Sequence, residues 1–138
     1  MSWLFWALLS ALFAGLTAVL AKVGVKDVDS DLATAIRTAV ILVFAWSIAL
    51  LRSPQSPAAV APRAWLFLVL SGLATGASWL CYFRALQLGE ASRVAPVDKL
   101  SVVVAMALAA LFLGEHLTWR HWAGGALIVS GSVLLARG

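Results

Sequence analysis

The most prominent pattern of the sequence is a series of five long apolar stretches separated by short polar segments. The stretches cover approximately residues 3–21, 32–51, 64–86, 94–113 and 117–136. Each contains about 20 residues, which at about 1.5 Å of rise per residue corresponds to about 30 Å, the hydrocarbon thickness of a bilayer. Because lipid offers no hydrogen-bond partner to the backbone, such stretches are expected to be helices. The pattern predicts an all-α integral membrane protein, a five-transmembrane-helix bundle forming one domain over residues 1–138.

The polar connections divide the predicted bundle between two membrane faces. Short connections make consecutive helices antiparallel neighbours. The N-terminus and the second and fourth connections therefore share one face, side A, and the first and third connections and the C-terminus share the other, side B. The second connection holds Pro54, Pro57 and Pro62, which mark a break between helices. Pro96 falls in the first turn of the predicted fourth helix, where proline is tolerated.

The basic residues give only a weak preference for one orientation in the membrane. Side A has Arg52, Arg63 and Arg120, and side B has Lys22, Lys26, Arg84, Arg93 and Arg137. Cytoplasmic loops usually carry the excess of lysine and arginine, which mildly favours side B in the cytoplasm. Three residues against five do not fix the orientation, so the sequence permits insertion both ways.

Composition argues against several classes of function. The chain has 138 residues, of which 63% are apolar and 12% charged, so little remains for a soluble catalytic domain. The net charge of +4 comes from residues at helix ends, where lipid headgroups account for it, and nucleic-acid binding is not expected. His116 and His121 are spaced wrongly for a shared metal ion, and both are predicted on side A, whereas Cys81 is predicted near side B. The sequence predicts no enzyme, no metal site and no cofactor.

Ionisable residues inside the apolar stretches are the main candidates for function. Arg37, Asp98 and Lys99 lie within the second and fourth stretches, and a charge at the centre of a membrane helix costs roughly 2.5–3.5 kcal/mol on insertion scales. Arg37 follows Asp31 by six residues, and Lys99 follows Arg93 by six. At about 1.5 Å per residue, both basic groups are expected about 9 Å beneath side B.

Two explanations of these charges remain open. Arg37 and Lys99 could extend toward the side-B headgroups, with Asp98 neutralising one of them. Alternatively, because adjacent residues point about 100° apart on a helix, Asp98 and Lys99 cannot both face lipid, and at least one points inward. An inward basic group near Tyr82 and Trp79 would suit a carboxylate, a phosphate or a zwitterion. Lys99, Asp98, Arg37, Tyr82 and Trp79 are therefore the predicted substrate-binding residues.

Small residues mark candidate helix contacts, since helices in lipid associate through close backbone approach. Gly124 and Gly131 lie seven residues apart on one face of the fifth stretch. This face could pack inside one subunit or join two subunits. The two glycines are predicted to form a dimer contact.

The amino-acid sequences of the last three stretches resemble those of a known family. The third stretch ends Tyr82-Phe83-Arg84-Ala85-Leu86, the fourth ends Leu113-Gly114-Glu115, and the fifth contains Gly124-Gly125-Ala126-Leu127-Ile128-Val129-Ser130-Gly131. In order and spacing this resembles one EamA unit of the drug/metabolite transporter superfamily. The resemblance covers nearly the whole chain and includes Arg37, where many such units have an arginine. The first stretch lacks the acidic residue with which the small multidrug-resistance relatives bind protons and drugs.

The resemblance implies a secondary transporter in the inner (plasma) membrane of a bacterium, exporting amino acids or related small polar metabolites. Most relatives carry two units in one ten-helix polypeptide, and an odd number of helices per unit inverts the second unit relative to the first. A single EamA-like repeat could form the same arrangement as an antiparallel homodimer. The alternatives are a subunit of a heteromeric lipid-carrier flippase and a non-transporting assembly or regulatory protein of the membrane.

Overall fold

The computed structural model describes residues 2–53 and 55–137, and every regular element within these ranges is a helix. The helices are α1 (Trp3–Gly24), α2 (Ser30–Arg52), α3 (Pro62–Leu88), α4 (Ala91–Asp98), α5 (Ser101–Phe112) and α6 (Trp119–Arg137), with a short 3₁₀ helix (Pro57–Ala59) between α2 and α3. The prediction of an all-α protein is confirmed for the described residues. The fourth predicted helix occupies its expected place but consists of two helices, α4 and α5.

Four helical segments of the described chain are long and apolar enough to cross a membrane. They are α1, α2, α3 and the combined segment Ala91–Phe112, which contains α4 and α5. The helix α6 is not among them, because its first turn contains Trp119, Arg120 and His121. The structure thus supports four of the five predicted spans, and the fifth remains a prediction.

The described chain groups into two compact units. The middle unit, Gly24–Gln87, contains α2 and nearly all of α3. The terminal unit is formed by the rest of the described chain and contains α1, α4, α5 and α6. Each unit carries part of the predicted site, and each is described separately below.

In the middle unit, the connection before α2 is fixed to the end of α3. The amide nitrogen of Gln87 donates to the carbonyl oxygens of Val25 at 3.4 Å and Val28 at 2.7 Å. Val25 and Leu86 are fully buried, so apolar packing accompanies these hydrogen bonds. Asp29 then begins α2, because its carboxylate accepts hydrogen bonds from the backbone N–H groups of the first turn.

In the terminal unit, α6 packs against α4 and α5 through one face. Gly125 is buried, and a Cβ atom at this position would lie 3.7 Å from Met106 Cε and 3.8 Å from Val103 Cγ2. Ser132, seven residues later, is also buried. The predicted contact residues Gly124 and Gly131 each precede this face by one residue, and a Cβ atom at either would meet no atom within 4 Å.

Candidate functional site

The middle unit places Arg37 of α2 against aromatic rings of α3. The guanidinium carbon lies 4.3 Å from the centroid of the Trp79 ring and 5.5 Å from that of Phe83. Trp79 and Phe83 are four residues apart and so lie on the same face of the helix. Tyr82 precedes Phe83 on α3 and is half-buried. Two of the five predicted site residues, Arg37 and Trp79, are therefore brought together.

Phe83 is a member of this group that the sequence analysis did not include. It is buried, with 3% of its surface exposed. Its spacing from Trp79 could have indicated it, because residues at i and i+4 share a helix face. We refer to Arg37, Trp79 and Phe83 as the arginine cluster.

The hydrogen-bonding groups of Arg37 have no protein acceptor within the described residues. Among the described residues, no carboxylate oxygen lies within 4.0 Å of its guanidinium nitrogens, and no guanidinium N–H donates a hydrogen bond. The residue is partly buried. A guanidinium has five N–H donors in one plane, and stacking on an aromatic ring covers a face without using them. The arginine cluster thus presents N–H donors that can bind a carboxylate or phosphate in bidentate fashion.

The terminal unit carries the other two predicted residues, which form an ion pair. Lys99 Nζ lies 3.4 Å from Asp98 Oδ2. The side chains are 54% and 35% exposed, respectively, so the pair is accessible rather than enclosed. Neutralisation of Lys99 by Asp98 is compatible with both explanations that the sequence left open, a charge directed at headgroups and a charge directed at a substrate.

This ion pair lies at the break between α4 and α5. Asp98 is the last residue of α4, and Lys99 and Leu100 form the turn before α5. In the turn, Lys99 N donates to Pro96 O at 3.1 Å and Leu100 N donates to Val97 O at 3.0 Å. These bonds span three residues rather than four, as in a 3₁₀ helix.

The position of Pro96 differs from the prediction. We expected Pro96 in the first turn of the fourth helix, but α4 begins earlier, at Ala91, after Glu90. Pro96 therefore lies in the helix interior, where it has no N–H to donate to the carbonyl of Ser92. The α-helix ends two residues later.

His121 has a structural role at the start of α6. His121 Nδ1 accepts a hydrogen bond from Thr118 N at 3.0 Å and lies 2.8 Å from Thr118 Oγ1. Within the part of the chain that the structure describes, no group of three histidine, cysteine or acidic side chains could hold a metal ion.

Comparison with known proteins identifies relatives over the full length of the chain. The model of the EamA-like transporter family matches residues 1–137. A protein of Sinorhizobium sp., described as an uncharacterized transporter in the cobO 3′ region, is 60% identical over 136 residues, which is 98% of this chain and 96% of that protein.

A second relative matches over a shorter region. A protein of Pseudomonas fluorescens, described as the probable 4-amino-4-deoxy-L-arabinose-phosphoundecaprenol flippase subunit ArnE, is 35% identical over 74 residues, which is 53% of this chain and 62% of that protein. No solved structure matches the chain.

Proposed function

The chain belongs to the EamA-like transporter family, and we propose that it is a secondary transporter that exports small anionic or zwitterionic metabolites such as amino acids. Membership of the family establishes a multi-pass membrane transporter. The charge of the substrate, the direction of transport and the assembly are the proposal. The bacterial source of the relatives supports an inner-membrane location.

The observation that carries the proposal is that the guanidinium of Arg37 contacts aromatic rings but has no hydrogen-bond acceptor among the described residues. A guanidinium within a membrane helix is costly unless it has partners. The rings of Trp79 and Phe83 supply part of the compensation by cation–π interaction. Their stacking leaves the N–H donors of Arg37 without acceptors in the described chain. A carboxylate or phosphate of the substrate would complete this coordination, whereas a cationic substrate would be repelled.

A transport assay with purified protein in proteoliposomes tests this assignment. Wild-type protein should carry at least one of L-glutamate, L-serine and glycerol 3-phosphate, and should not carry choline. Arg37→Gln should lower transport of the carried compound about tenfold or more, since it removes a charge-assisted hydrogen bond. The matched control is Arg84→Gln, which removes an exposed arginine of α3 and leaves the basic residues of sides A and B more evenly divided. Wild-type flux in Arg37→Gln, or preferential transport of choline, would disprove the proposal.

We further propose that the functional form is an antiparallel homodimer with five spans per subunit, α6 being the fifth. The chain provides a single repeat, and substrate sites of inverted-repeat carriers lie between two repeats. The open surface around Gly124 and Gly131 supports a contact through α6. In such a dimer the two copies of Lys99 would approach from opposite faces of the membrane, and each Asp98–Lys99 pair would contribute an equivalent half-site.

A second candidate function is a subunit of a heteromeric lipid-carrier flippase. The observation that favours it is the similarity to ArnE, whose description names it a flippase subunit. On this alternative, the arginine cluster would bind a lipid phosphate rather than a free metabolite. Purification of the tagged chain from its own host membranes would then yield a second, different small membrane protein in equal amount, whereas the homodimer predicts two copies of one chain.

A further inference from the structure

Ser132 in α6 makes a hydrogen bond of a kind different from those of other hydroxyls in the described helices. Five of these hydroxyls donate to the carbonyl oxygen four residues earlier on their own helix, at 2.7–2.9 Å: those of Thr34, Thr38, Ser47, Thr75 and Ser130. Ser132 Oγ donates instead to Pro96 O of α4 at 2.8 Å. Only 5% of Ser132 is exposed. Its hydroxyl therefore connects two helices.

The Pro96 carbonyl accepts this bond at the point where the helix is broken. In a continuous α-helix the carbonyl of residue 96 would accept from the N–H of Leu100. Here Leu100 N donates to Val97 O, and Pro96 O accepts from Lys99 N at 3.1 Å and from Ser132 Oγ. Because bonds of the 3₁₀ type have poorer geometry, the turn is intrinsically weaker than an α-helix. The bond from α6 supplies an additional constraint.

The helix α6 contacts the chain on both sides of the break. Ser132 is bonded to Pro96 before the turn, and Gly125 packs against Val103 and Met106 after it. Gly125 and Ser132 are seven residues apart and lie on the same face of α6. The turn that carries Lys99 is thus held between two contacts with a single helix.

From this geometry we propose that Ser132 is a positioning residue whose hydroxyl fixes the turn between α4 and α5 and thereby holds the Lys99 ammonium beside Asp98. The bond fixes a carbonyl two residues before Asp98 and three before Lys99. The consequence for transport rests on the proposed function, in which this ion pair contributes to substrate binding. The geometric role itself is independent of the substrate.

Hydrogen–deuterium exchange on the full-length protein in lipid nanodiscs tests the role of Ser132 in the turn. Ser132→Ala should speed exchange of the amides of residues 97–104 about threefold or more, because it removes the hydroxyl. The matched control, Ser130→Ala, removes a hydroxyl that bonds only to Ala126 O of its own helix and should leave these amides unchanged. Ser132→Thr, which keeps the hydroxyl, should restore slow exchange, and Ser132→Cys, a weaker donor of similar size, should be intermediate. Wild-type exchange rates in both Ser132→Ala and Ser132→Cys would overturn the proposal.

Acylation of lysine amines tests whether the turn positions Lys99. With the reagent sulfosuccinimidyl acetate and detection by mass spectrometry, Ser132→Ala should raise the rate of Lys99 modification about threefold, because a loosened turn lets the amine leave Asp98. Lys22, which donates to Gly89 O at 2.8 Å, is the internal control and should not change. Faster amide exchange in Ser132→Ala with an unchanged rate of Lys99 acylation would show that Ser132 stabilises the turn without positioning Lys99. That result would overturn the positioning role. Neither measurement depends on transport, so a failure of the proposed function, which the proteoliposome assay tests, is distinguished from a failure of the positioning role.

Discussion

At the scale of single residues, the guanidinium of Arg37 lies over two aromatic rings of α3. Trp79 is the nearer ring, at 4.3 Å, and Phe83 the farther, at 5.5 Å. A cation over a tryptophan ring gains about 0.5–2 kcal/mol, depending on how far it is shielded from water. Trp79→Leu should therefore raise the half-saturation concentration for an anionic substrate about 2–30-fold, and Trp79→Phe should have a smaller effect. The concentration dependence of flux into proteoliposomes measures both, with Trp46→Leu of α2 as a control. Equal effects of the leucine substitutions at both sites would argue against a specific contact.

The Asp98–Lys99 pair leads to a second prediction at this scale. Its side chains are half exposed, so the pair itself contributes at most about 1 kcal/mol to stability. Lys99→Ala should insert into the membrane at the wild-type level but abolish transport. Quantification of the protein in the membrane fraction, together with flux into proteoliposomes, separates the two effects. Wild-type flux in Lys99→Ala would remove Lys99 from the site.

The arginine cluster shows which members of a candidate site a sequence can indicate. Arg37 was identifiable because a charge inside an apolar stretch is an energetic exception that requires a reason. Trp79 and Tyr82 followed from their proximity in sequence and depth. Phe83 and Ser132 were not identified, since phenylalanine and serine are ordinary residues of membrane helices and only the partner of each side chain distinguishes it.

At the scale of elements, the break in the fourth predicted span is the main departure from the expected helices. Hydropathy predicted one continuous stretch, and length and composition agree with that. Pro96 signals an interruption only if it lies inside a helix, and this depends on where the helix starts. The start at Ala91 follows from the carbonyl of Glu90, which accepts hydrogen bonds from Arg93 and Val94. A difference of three residues in the helix start, between residue 94 and Ala91, therefore decides whether Pro96 lies in the first turn or in the helix interior.

This break predicts opposite effects of Pro96→Ala on stability and on transport. Alanine restores an N–H that can donate to the Ser92 carbonyl, and an interior proline costs a helix up to about 3 kcal/mol. The variant should therefore unfold at a higher temperature in detergent, while its maximal transport rate falls because the turn that carries Lys99 is straightened. Thermal unfolding and flux assays on the same preparation measure the two effects, with Pro57→Ala in the short 3₁₀ helix as a control. A more stable protein with unchanged flux would show that transport does not need the break.

The packing of α6 shows that a pattern of small residues does not by itself predict the contact face of a helix. Small residues predicted a contact face at Gly124 and Gly131, whereas the contacts with α4 and α5 use Gly125 and Ser132, each one residue later. A shift of one residue turns the helix by about 100°, so the pattern of small residues identifies a helix that packs closely but does not choose the face. The face with Gly124 and Gly131 stays available for the predicted dimer contact.

At the scale of the whole molecule, the proposed antiparallel dimer requires that copies of the chain insert into the membrane in both orientations. With five spans the C-terminus lies on the face opposite the N-terminus, and two oppositely inserted copies reproduce an inverted repeat. The three basic residues on side A and five on side B allow this dual insertion. C-terminal fusions to one reporter active only in the cytoplasm and another active only outside should therefore both give signal. Signal from one reporter alone would favour a parallel dimer or a different partner protein.

Variants with a fixed orientation turn this expectation into a test of function. Arg52→Gln with Arg63→Gln leaves side A with a single basic residue and should place side B in the cytoplasm. Lys26→Gln, Arg84→Gln, Arg93→Gln and Arg137→Gln with Gln55→Lys leave side B with one basic residue against four on side A and should favour the opposite insertion. Each set expressed alone should give signal from one reporter and little transport, because a lone orientation cannot form the inverted pair. Expression of both sets together should restore flux toward the wild-type level. Full transport from either set alone would show that oppositely inserted copies are not required.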